Sequence, residues 1–127
     1  MNNASQVQLV DGQVLYADYA TFSLDCEANK YAIHVTGFSG NAGDALSNTT
    51  VGANWNHNGM SFSTPDADND KASNNCAEKY SAGWWFNNCW YSCLTCKYGG
   101  DDFSWYTKGT LQGARMMIKR AWTQLED

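Results

Sequence analysis

Three aspartates at alternate positions are the residues of this chain whose types and spacing most clearly suggest chemistry. Asp66, Asp68 and Asp70 lie within five residues, with Asn69 between the last two. Hard cations such as Ca²⁺ take about six to eight oxygen ligands, and an alternating aspartate loop supplies several carboxylate oxygens together. The loop is not an EF-hand, because it lacks the glycine at the sixth position and the glutamate at the twelfth. On spacing alone, a cation site and a solvated polar loop both remain possible.

Two cysteines follow the aspartates and bracket an aromatic segment. Cys76 and Cys89 enclose twelve residues, and a disulfide that closed such a loop would stabilise the fold by about 3 kcal/mol. Aromatic residues make up 14% of the sequence, so we expect some of the rings to lie at a ligand or partner surface. The rings in and just after this loop are Tyr80, Trp84, Trp85, Phe86 and Trp90.

A CxxC motif lies shortly after the aromatic segment. Cys93 and Cys96 form it, but no βαβ pattern surrounds them as a thioredoxin-like site would require. A zinc site would need four ligands, and the two histidines, His34 and His57, are in distant segments. The motif therefore indicates a local disulfide or two buried thiols. Cys26 is left over, either buried or available to link two protein molecules.

The sequence gives little support to catalysis. His34 falls in a predicted strand and His57 in a polar loop, and neither belongs to a GxSxG, HExxH or glycine-rich phosphate motif. The aspartates could suggest a pair of glycosidase carboxyls, but their tight clustering fits cation binding better. We therefore expect a binding protein rather than an enzyme.

Length, charge and cysteine content narrow the protein class. The sequence has 127 residues, which suits one domain, and a formal net charge of −5 with no basic tract for a phosphate backbone. No apolar run reaches the roughly 20 residues of a membrane helix, and no signal peptide is visible at the start. Five cysteines favour an oxidising, extracellular setting, so we predict a secreted protein without nucleic-acid binding or membrane insertion.

Short strands and long polar loops are predicted around these motifs. Alternating residues on both sides of Asp11-Gly12 predict a tight hairpin, because both central residues of such a turn tolerate positive φ. Glycine- and asparagine-rich segments predict loops that need disulfides or a bound ion to hold them. The further expected elements are strands at 21–24, from Tyr31 to Gly37, at 103–107 and at 114–120 with Met116 and Ile118 inward, a helical turn at 44–46, and short helices at 77–80 and 121–127.

Three ordered segments resemble the fibrinogen C-terminal domain family, which includes fibrinogen chains, ficolins, tachylectins, angiopoietins and tenascins. They read YAIHVTGFSGNAGDALS, HNGMSFSTPDADND and NNCAEKYSAGWWFNNCW. The resemblance extends from about Tyr16 to about Arg120 and implies an α+β fold with a small, mostly antiparallel sheet, short helices and long loops stabilised by disulfides and calcium. It leaves out the N-terminal part of the family domain, so residues 1–127 are expected to form one truncated domain. Residues 1–15 would add a hairpin strand, and residues 60–110 would hold the calcium and ligand loops.

The resemblance implies a calcium site and a disulfide. The Ca²⁺ ligands would be the side chains of Asp68 and Asp70 and the backbone carbonyls of Ala72 and Asn74. The family disulfide falls on Cys76–Cys89.

The resemblance also implies a ligand pocket beside the calcium loop. In lectin members an acetyl group lies between aromatic rings, and a backbone amide near the second cysteine binds its carbonyl oxygen, which here implies Tyr80 and the Cys89–Trp90 peptide. The family commonly has a cis bond at this place. Trp90 replaces a usual histidine, the CxxC cysteines replace an asparagine and a glycine, and the segment after Gly109 is shortened to TLQGAR. Trp90, Trp105 or Tyr106 would then complete the pocket.

Two binding functions follow from the resemblance. The first is a calcium-supported lectin for acetylated glycans, N-acetyl sugars or sialic acid, that acts in innate or cell-surface recognition, with homo-oligomers supplying avidity. The alternative is a protein-interaction module, because fibrinogen uses the equivalent pocket for a peptide amino terminus and angiopoietins bind receptors. A basic peptide end would suit an acidic pocket near Asp66 to Asp70.

Overall fold

The computed structural model describes residues 3–106 and 108–120. Its strands are β1 (Asn3–Val10), β2 (Val14–Leu24), β3 (Ile33–Gly40), β4 (Ser92–Cys93), β5 (Ser104–Trp105), β6 (Gly109–Thr110) and β7 (Gly113–Arg120). Its helical elements are α1 (Cys76–Tyr80) and two 3-10 turns, Glu27–Asn29 and Thr49–Val51. The long strands form an antiparallel sheet in the order β3-β2-β1-β7, and the short ones form a second antiparallel sheet in the order β4-β5-β6.

The first hairpin has a three-residue turn rather than the predicted two-residue turn. Val10 pairs with Val14, so Asp11, Gly12 and Gln13 form the connection. Gly12 alone among them has a positive φ, of 108°, and the Gln13 N–H donates to Asp11 Oδ1 at 3.3 Å. The side chain of Asp11 thus stabilises a longer turn that the Asp-Gly signal by itself does not distinguish.

Strand β2 continues through the two segments that the sequence pattern separates. It extends to Leu24 because residues 21–24 pair with β3, and a register shift opposite Asn3–Ser5 accommodates an extra residue. Strand β3 likewise continues past Gly37, where an added Cβ would lie 2.6 Å from the Ala20 Cβ. Glycine at this position permits both the close approach and a φ of +73°, so it does not end the strand.

The inner face of the large sheet carries the hydrophobic core. Val7 and Leu9 of β1 are fully buried, and Met116 of β7 pairs with Val7 and packs against the core. Ile118 lies on the same face of β7 as Met116 and pairs with the buried Ser5, but the prediction that it packs inward is wrong, because its side chain is 59% exposed. Within the described residues β7 is an edge strand, so Ile118 has its neighbour Ser5 on one side only.

The predicted helical turn at 44–46 is replaced by a side-chain cap. Asp44 Oδ1 accepts hydrogen bonds from the Leu46 and Ser47 N–H groups at 3.1 and 2.9 Å, and from the Tyr19 hydroxyl at 2.7 Å. A short aspartate side chain that binds its own backbone competes with helix formation. Burial, and then the Asp44 carboxylate, raises the pKa of Tyr19, which keeps this phenol a hydrogen-bond donor. The helix predicted at 121–127 lies outside the described residues.

Candidate functional site

A cleft of about 460 Å³ opens beside the C-terminal end of α1. Its lining brings together Tyr80, Cys89, Trp90 and Tyr106, four of the five residues predicted to contact a ligand. The complete lining is Trp55, Asn74, Lys79, Tyr80, Asn88, Cys89, Trp90 and Tyr106. We refer to this surface as the Tyr80–Trp90 cleft.

Helix α1 places the first aromatic ring of the cleft. Its N-cap residue Asn75 accepts the Glu78 N–H at 3.0 Å through its side chain, and Ser81 ends the helix in the left-handed conformation. Tyr80 is therefore the last helical residue, and its ring meets Trp90 edge to face at 5.8 Å and 79°. The Lys79 Nζ lies 5.3 Å from the Tyr80 ring centroid, so a cation sits at the same edge of the cleft.

A disulfide joins the helix to the opposite side of the cleft. Cys76, the first residue of α1, is bonded to Cys89 with an S–S distance of 2.07 Å, the pairing that the family resemblance implies. The cis peptide bond lies one residue earlier than expected, between Asn88 and Cys89 rather than between Cys89 and Trp90.

Two residues that line this cleft have backbone N–H groups without an acceptor among the described residues. The backbone N–H groups of Cys89 and Trp90 donate to no protein acceptor within the described residues, whereas the Asn88 N–H donates to the Asn54 carbonyl at 3.2 Å. An N–H group without a partner inside the protein can bind a ligand carbonyl or carboxylate instead. The cleft thus combines aromatic surface with hydrogen-bond donors.

His57 holds the segment that follows the cleft. It is fully buried, and its Nδ1 lies 2.8 Å from the Trp85 carbonyl while its Nε2 accepts the Tyr91 and Ser92 N–H groups at 2.9 and 3.2 Å. These contacts require a proton on Nδ1 and none on Nε2. Burial lowers the pKa of His57 to about 4, so the ring is neutral near pH 7. His57 is a core histidine, as its lack of a catalytic motif indicated.

Trp105 does not line the cleft. Its side chain is fully buried in the core, and its Nε1–H donates to the Gly43 carbonyl at 2.8 Å. Both residues of β5, Ser104 and Trp105, are buried, whereas Tyr106 follows the strand in a turn and is 64% exposed. Trp105 therefore supports the site through packing, and the prediction that it substitutes for a missing pocket wall is corrected.

Three lining residues belong to no site that the sequence predicted. Trp55 lies in a polar loop that shows no periodicity, and it reaches the cleft only because the loop folds back beside residues 87–90. Lys79 and Asn88 flank predicted ligand residues and carry no motif of their own. An isolated tryptophan in a polar glycine-rich loop was the one available signal for Trp55.

The aspartate loop lies next to the cleft but does not line it. The Asp66 carboxylate accepts the Thr64 hydroxyl at 2.6 Å, a contact that lowers the pKa of Asp66. Lys79 is the charged side chain in the cleft lining and no carboxylate is among the lining residues, so this cleft is not the acidic pocket expected for a basic peptide end. Asp68 and Asp70 accept hydrogen bonds from backbone N–H groups of residues 70–76, and none of the three aspartates is among the residues that line the cleft.

Asp68 and Asp70 form the acidic pair of the loop. Asp68 Oδ1 accepts the Asp70 N–H at 3.3 Å, and the two Asp70 oxygens accept the Ala72 and Cys76 N–H groups at 2.9 Å each. Burial raises the pKa of Asp70, the two backbone hydrogen bonds oppose that rise, and the neighbouring Asp68 carboxyl adds to it. The two carboxyls form no ion pair with a described residue.

The side chains of this loop could bind a cation such as Ca²⁺ only together with backbone carbonyl oxygens. Among residues 3–106 and 108–120, no three His, Cys, Asp or Glu side chains gather as a metal cluster. The carbonyl oxygens of Ala72 and Asn74, however, accept no hydrogen bond from described protein groups. Two carboxylates and two such carbonyls are oxygen ligands of the type that calcium prefers. Asn74 also lines the cleft, so it connects the two sites.

The remaining cysteines fall within the alternatives that the sequence left open. Cys93 and Cys96 form a local disulfide with an S–S distance of 2.04 Å, and both are buried. Cys26 is exposed rather than buried, and among the described cysteines it is the one without a disulfide partner. The CxxC motif is thus a local crosslink at strand β4.

Comparison with known proteins shows which family the chain belongs to. The sequence model of the C-terminal globular domain of the fibrinogen beta and gamma chains matches residues 2–124. The protein belongs to the fibrinogen C-terminal domain family. The expected family assignment is therefore confirmed.

Relatives in this family align with most of the sequence. The human fibrinogen alpha chain is 47% identical over 89 residues, 66% of this chain and 10% of that protein. The human fibrinogen gamma chain is 44% identical over 68% of this chain and 21% of its own length, and human tenascin-R is 38% identical over 80% and 7%. The chain thus spans at most about a fifth of the length of these three relatives.

Solved fibrinogen-like domains share the fold. The lamprey fibrin D-dimer, complexed with the peptide Gly-His-Arg-Pro-amide, has a TM-score of 0.85 at 28% identity, covering 98% of this chain and 47% of that one. The fibrinogen-like globe domain of human ANGPTL6 has a TM-score of 0.80 at 28% identity, covering 96% and 58%. The fibrinogen-like fold class, with mostly antiparallel sheets and short helices, is confirmed.

Proposed function

We propose that this fibrinogen-like domain is a protein-interaction module that binds a peptide segment of a partner protein in the Tyr80–Trp90 cleft. The observation that carries the proposal is the pair of available N–H groups at Cys89 and Trp90 beside two aromatic rings. Such a cleft can bind peptide carbonyls through main-chain donors while the rings cover apolar side-chain surface. The peptide complex of the lamprey fibrin D-dimer supports a ligand of this class.

The charge in the cleft favours an acidic feature in the peptide. Lys79 contributes a cation, and Asn74 and Asn88 contribute amides that can donate or accept. A terminal carboxylate or an acidic side chain can therefore pair with Lys79 while adjacent carbonyls meet the N–H groups of Cys89 and Trp90. We expect peptides with a free carboxyl end or an acidic residue to bind more tightly than amidated neutral ones.

Replacing Tyr80 with alanine is expected to weaken peptide binding by at least about tenfold, because aromatic residues at the centre of a cleft carry much of the binding energy. The measurement is binding to hexapeptide arrays displayed with free amino ends or free carboxyl ends, with Gly-His-Arg-Pro-amide included. The matched control is Tyr98→Ala, since Tyr98 is 76% exposed and outside the cleft lining. Equal binding by Tyr80→Ala and wild type would place the peptide elsewhere, and absence of binding by wild type would overturn the proposed function.

We propose that a calcium ion stabilises the loop next to the cleft. Asp68 and Asp70 would hold it through carboxylate oxygens and Ala72 and Asn74 through carbonyl oxygens, whose lack of hydrogen-bond partners among the described residues supports this assignment. The ion would neutralise two neighbouring carboxylates and stabilise the loop that ends at α1. Through Asn74 it would also stabilise one side of the cleft.

Chelation of calcium is therefore expected to lower the melting temperature and weaken peptide binding together. At a calcium concentration of 100 times the dissociation constant, the bound ion would add about 2.7 kcal/mol to the free energy of unfolding. Differential scanning calorimetry with calcium and with EDTA measures this effect. Asp68→Asn should lose the response, whereas Asp66→Asn should keep it, because the Asp66 carboxylate binds the Thr64 hydroxyl and is not one of the proposed calcium ligands. If the melting temperature is the same with calcium and with EDTA, the proposal of a bound calcium ion is contradicted.

Glycan binding is a second candidate function for the same cleft. It is favoured by the edge-to-face rings of Tyr80 and Trp90 beside an available N–H group, an arrangement that can hold an acetyl methyl and its carbonyl oxygen. N-acetylglucosamine and N-acetylneuraminic acid are the test ligands, added as competitors of the bound hexapeptide. Displacement of the peptide by either acetylated sugar would support the lectin function, and its absence at saturating sugar would count against it.

We infer an extracellular setting for this binding function, in which no chemical step is needed. Two disulfides support an oxidising compartment. Among the described residues, no helix is both long enough and apolar enough to cross a membrane. Homo-oligomers, as the sequence suggested, would raise the avidity of weak single sites.

A further inference from the structure

A second, smaller cavity lies directly beside the Tyr80–Trp90 cleft. It has a volume of about 360 Å³ and is lined by Val51, Trp55, Tyr91 and Tyr106. Trp55 and Tyr106 belong to both linings, so the two cavities share these rings as a common rim. We call this second cavity the Tyr91 subsite.

Two of the residues that line the Tyr91 subsite are a stacked pair of tyrosines. The rings of Tyr91 and Tyr106 lie 4.5 Å apart at 26°, and the Tyr106 N–H donates to the Tyr91 carbonyl at 3.1 Å. The Tyr91 N–H in turn donates to the buried His57 Nε2 at 2.9 Å. These two hydrogen bonds hold the backbone of both tyrosines in place. The two rings therefore form an aromatic surface before any ligand binds.

The loop that carries Trp55 is fixed to the same region. The Asn88 N–H donates to the Asn54 carbonyl at 3.2 Å, and the Asn87 side chain donates to the carbonyls of Ala53 and Asn56 at 2.8 and 2.6 Å. Trp55 is nevertheless 42% exposed. A large apolar ring held at the surface by its backbone is typical of a contact site for a ligand or partner.

The two cavities differ in chemistry. The Tyr80–Trp90 cleft contains a lysine and two asparagines, whereas the Tyr91 subsite has no charged and no amide side chain among its described lining residues. Burial, and then the neighbouring Tyr106, raises the pKa of Tyr91, so its phenol stays uncharged near pH 7. The hydrogen-bonding side-chain groups of this lining are two phenols and one indole N–H, which offer few partners to a sugar, whereas an apolar side chain needs none.

We propose that the Tyr91 subsite takes an apolar side chain, such as proline, leucine or phenylalanine, from the same peptide that the Tyr80–Trp90 cleft binds. The inference rests on the proposed peptide-binding function and adds its specificity. In an extended peptide, side chains two residues apart point to the same side and lie about 7 Å apart. One peptide can therefore cross the rim of Trp55 and Tyr106 and place side chains in both cavities.

A positional-scanning hexapeptide library, measured against wild type and variants, tests the subsite. Wild type is expected to prefer apolar residues at one position by about three- to tenfold over serine, the size of effect that aromatic contacts supply. Tyr91→Ala should remove this preference and keep the preference for an acidic or carboxyl feature. Tyr80→Ala should weaken all peptides together, and Tyr98→Ala should behave as wild type.

Val51→Ser provides a second variant, because Val51 lines only the Tyr91 subsite of these two cavities. The Val51→Ser variant should reduce the same preference for an apolar residue. A circular dichroism spectrum like that of wild type shows that each variant is folded and can be compared. If peptides bind wild type without an apolar preference, or if the preference survives both Tyr91→Ala and Val51→Ser, the subsite is wrong and the peptide-binding function stands. If no peptide binds wild type, both proposals fail.

Discussion

Replacing His57 with phenylalanine is expected to lower the free energy of unfolding by about 3–5 kcal/mol, because it leaves buried polar backbone groups without partners at about 1–3 kcal/mol each. Phenylalanine keeps a ring of similar shape but cannot donate to the Trp85 carbonyl or accept the Tyr91 and Ser92 N–H groups. Urea unfolding measures the loss. The matched control is His34→Phe, since the His34 side chain is 46% exposed. This substitution should lower the free energy of unfolding by less than about 0.5 kcal/mol.

The same histidine predicts a specific acid sensitivity. His57 has a pKa of about 4 in the folded protein and an ordinary value of 6.5, so between these pH values the unfolded protein binds a proton that the folded protein does not. Its contribution to stability is therefore complete above pH 6.5 and falls by about 3 kcal/mol as the pH drops to 4. The His57→Phe variant should lack this part of the pH dependence. If its unfolding free energy still falls as steeply as that of wild type over this range, His57 is not the responsible group.

Removal of the Cys76–Cys89 disulfide is expected to cost about 3 kcal/mol of stability, as the loss of loop-closure entropy predicts for a loop of this length. The Cys76→Ala, Cys89→Ala double variant should also bind peptides more weakly than wild type. The physical reason is that this bond joins α1, which places Tyr80, to the segment that supplies the N–H groups of Cys89 and Trp90.

A matched control separates this local effect from general crosslinking. The Cys93→Ala, Cys96→Ala double variant removes a disulfide that closes a much shorter loop and lies outside the Tyr80–Trp90 cleft. It should cost less stability, about 2 kcal/mol by the same loop-closure estimate, and leave peptide binding near the wild-type value. Stronger loss of binding from the Cys93, Cys96 pair than from the Cys76, Cys89 pair would contradict the proposed role of the first disulfide. Urea unfolding and the hexapeptide arrays provide both readouts.

Local pattern predicted the elements whose determinants lie close together in sequence. The first hairpin followed from alternation around Asp11-Gly12, and the short helix near Tyr80 from residues 77–80. Even here, the turn has one more residue than the pattern indicates, because the Asp11 side chain caps a three-residue loop. Strand lengths were also underestimated, since pairing with a distant strand continues β2 and β3 beyond their local signals.

Which aromatic rings are exposed could not be read from composition. Trp105 and Tyr106 are neighbours in sequence, yet the first is fully buried and the second is 64% exposed. Trp105 is placed by the pairing of β5 with β4 and β6, whereas Tyr106 follows the strand and contacts Tyr91, so both depend on residues distributed between 91 and 110. Trp55 becomes part of the cleft for a similar reason, because side-chain and backbone bonds from 87–88 hold its loop in place.

The sequence by itself determined the family, the Cys76–Cys89 pairing that the family implies and the segment that carries the cleft, because these depend on the identity and order of residues within short stretches. The sequence also identified the aspartates at 66, 68 and 70 as a candidate site, but it did not predict where they lie relative to the cleft. The tertiary structure decided that Lys79 lines the cleft while the three aspartates do not, that Trp105 is buried, and that Trp55 and Tyr106 line both cavities. Those outcomes depend on contacts between segments far apart in sequence, whose geometry exists only once the core has packed.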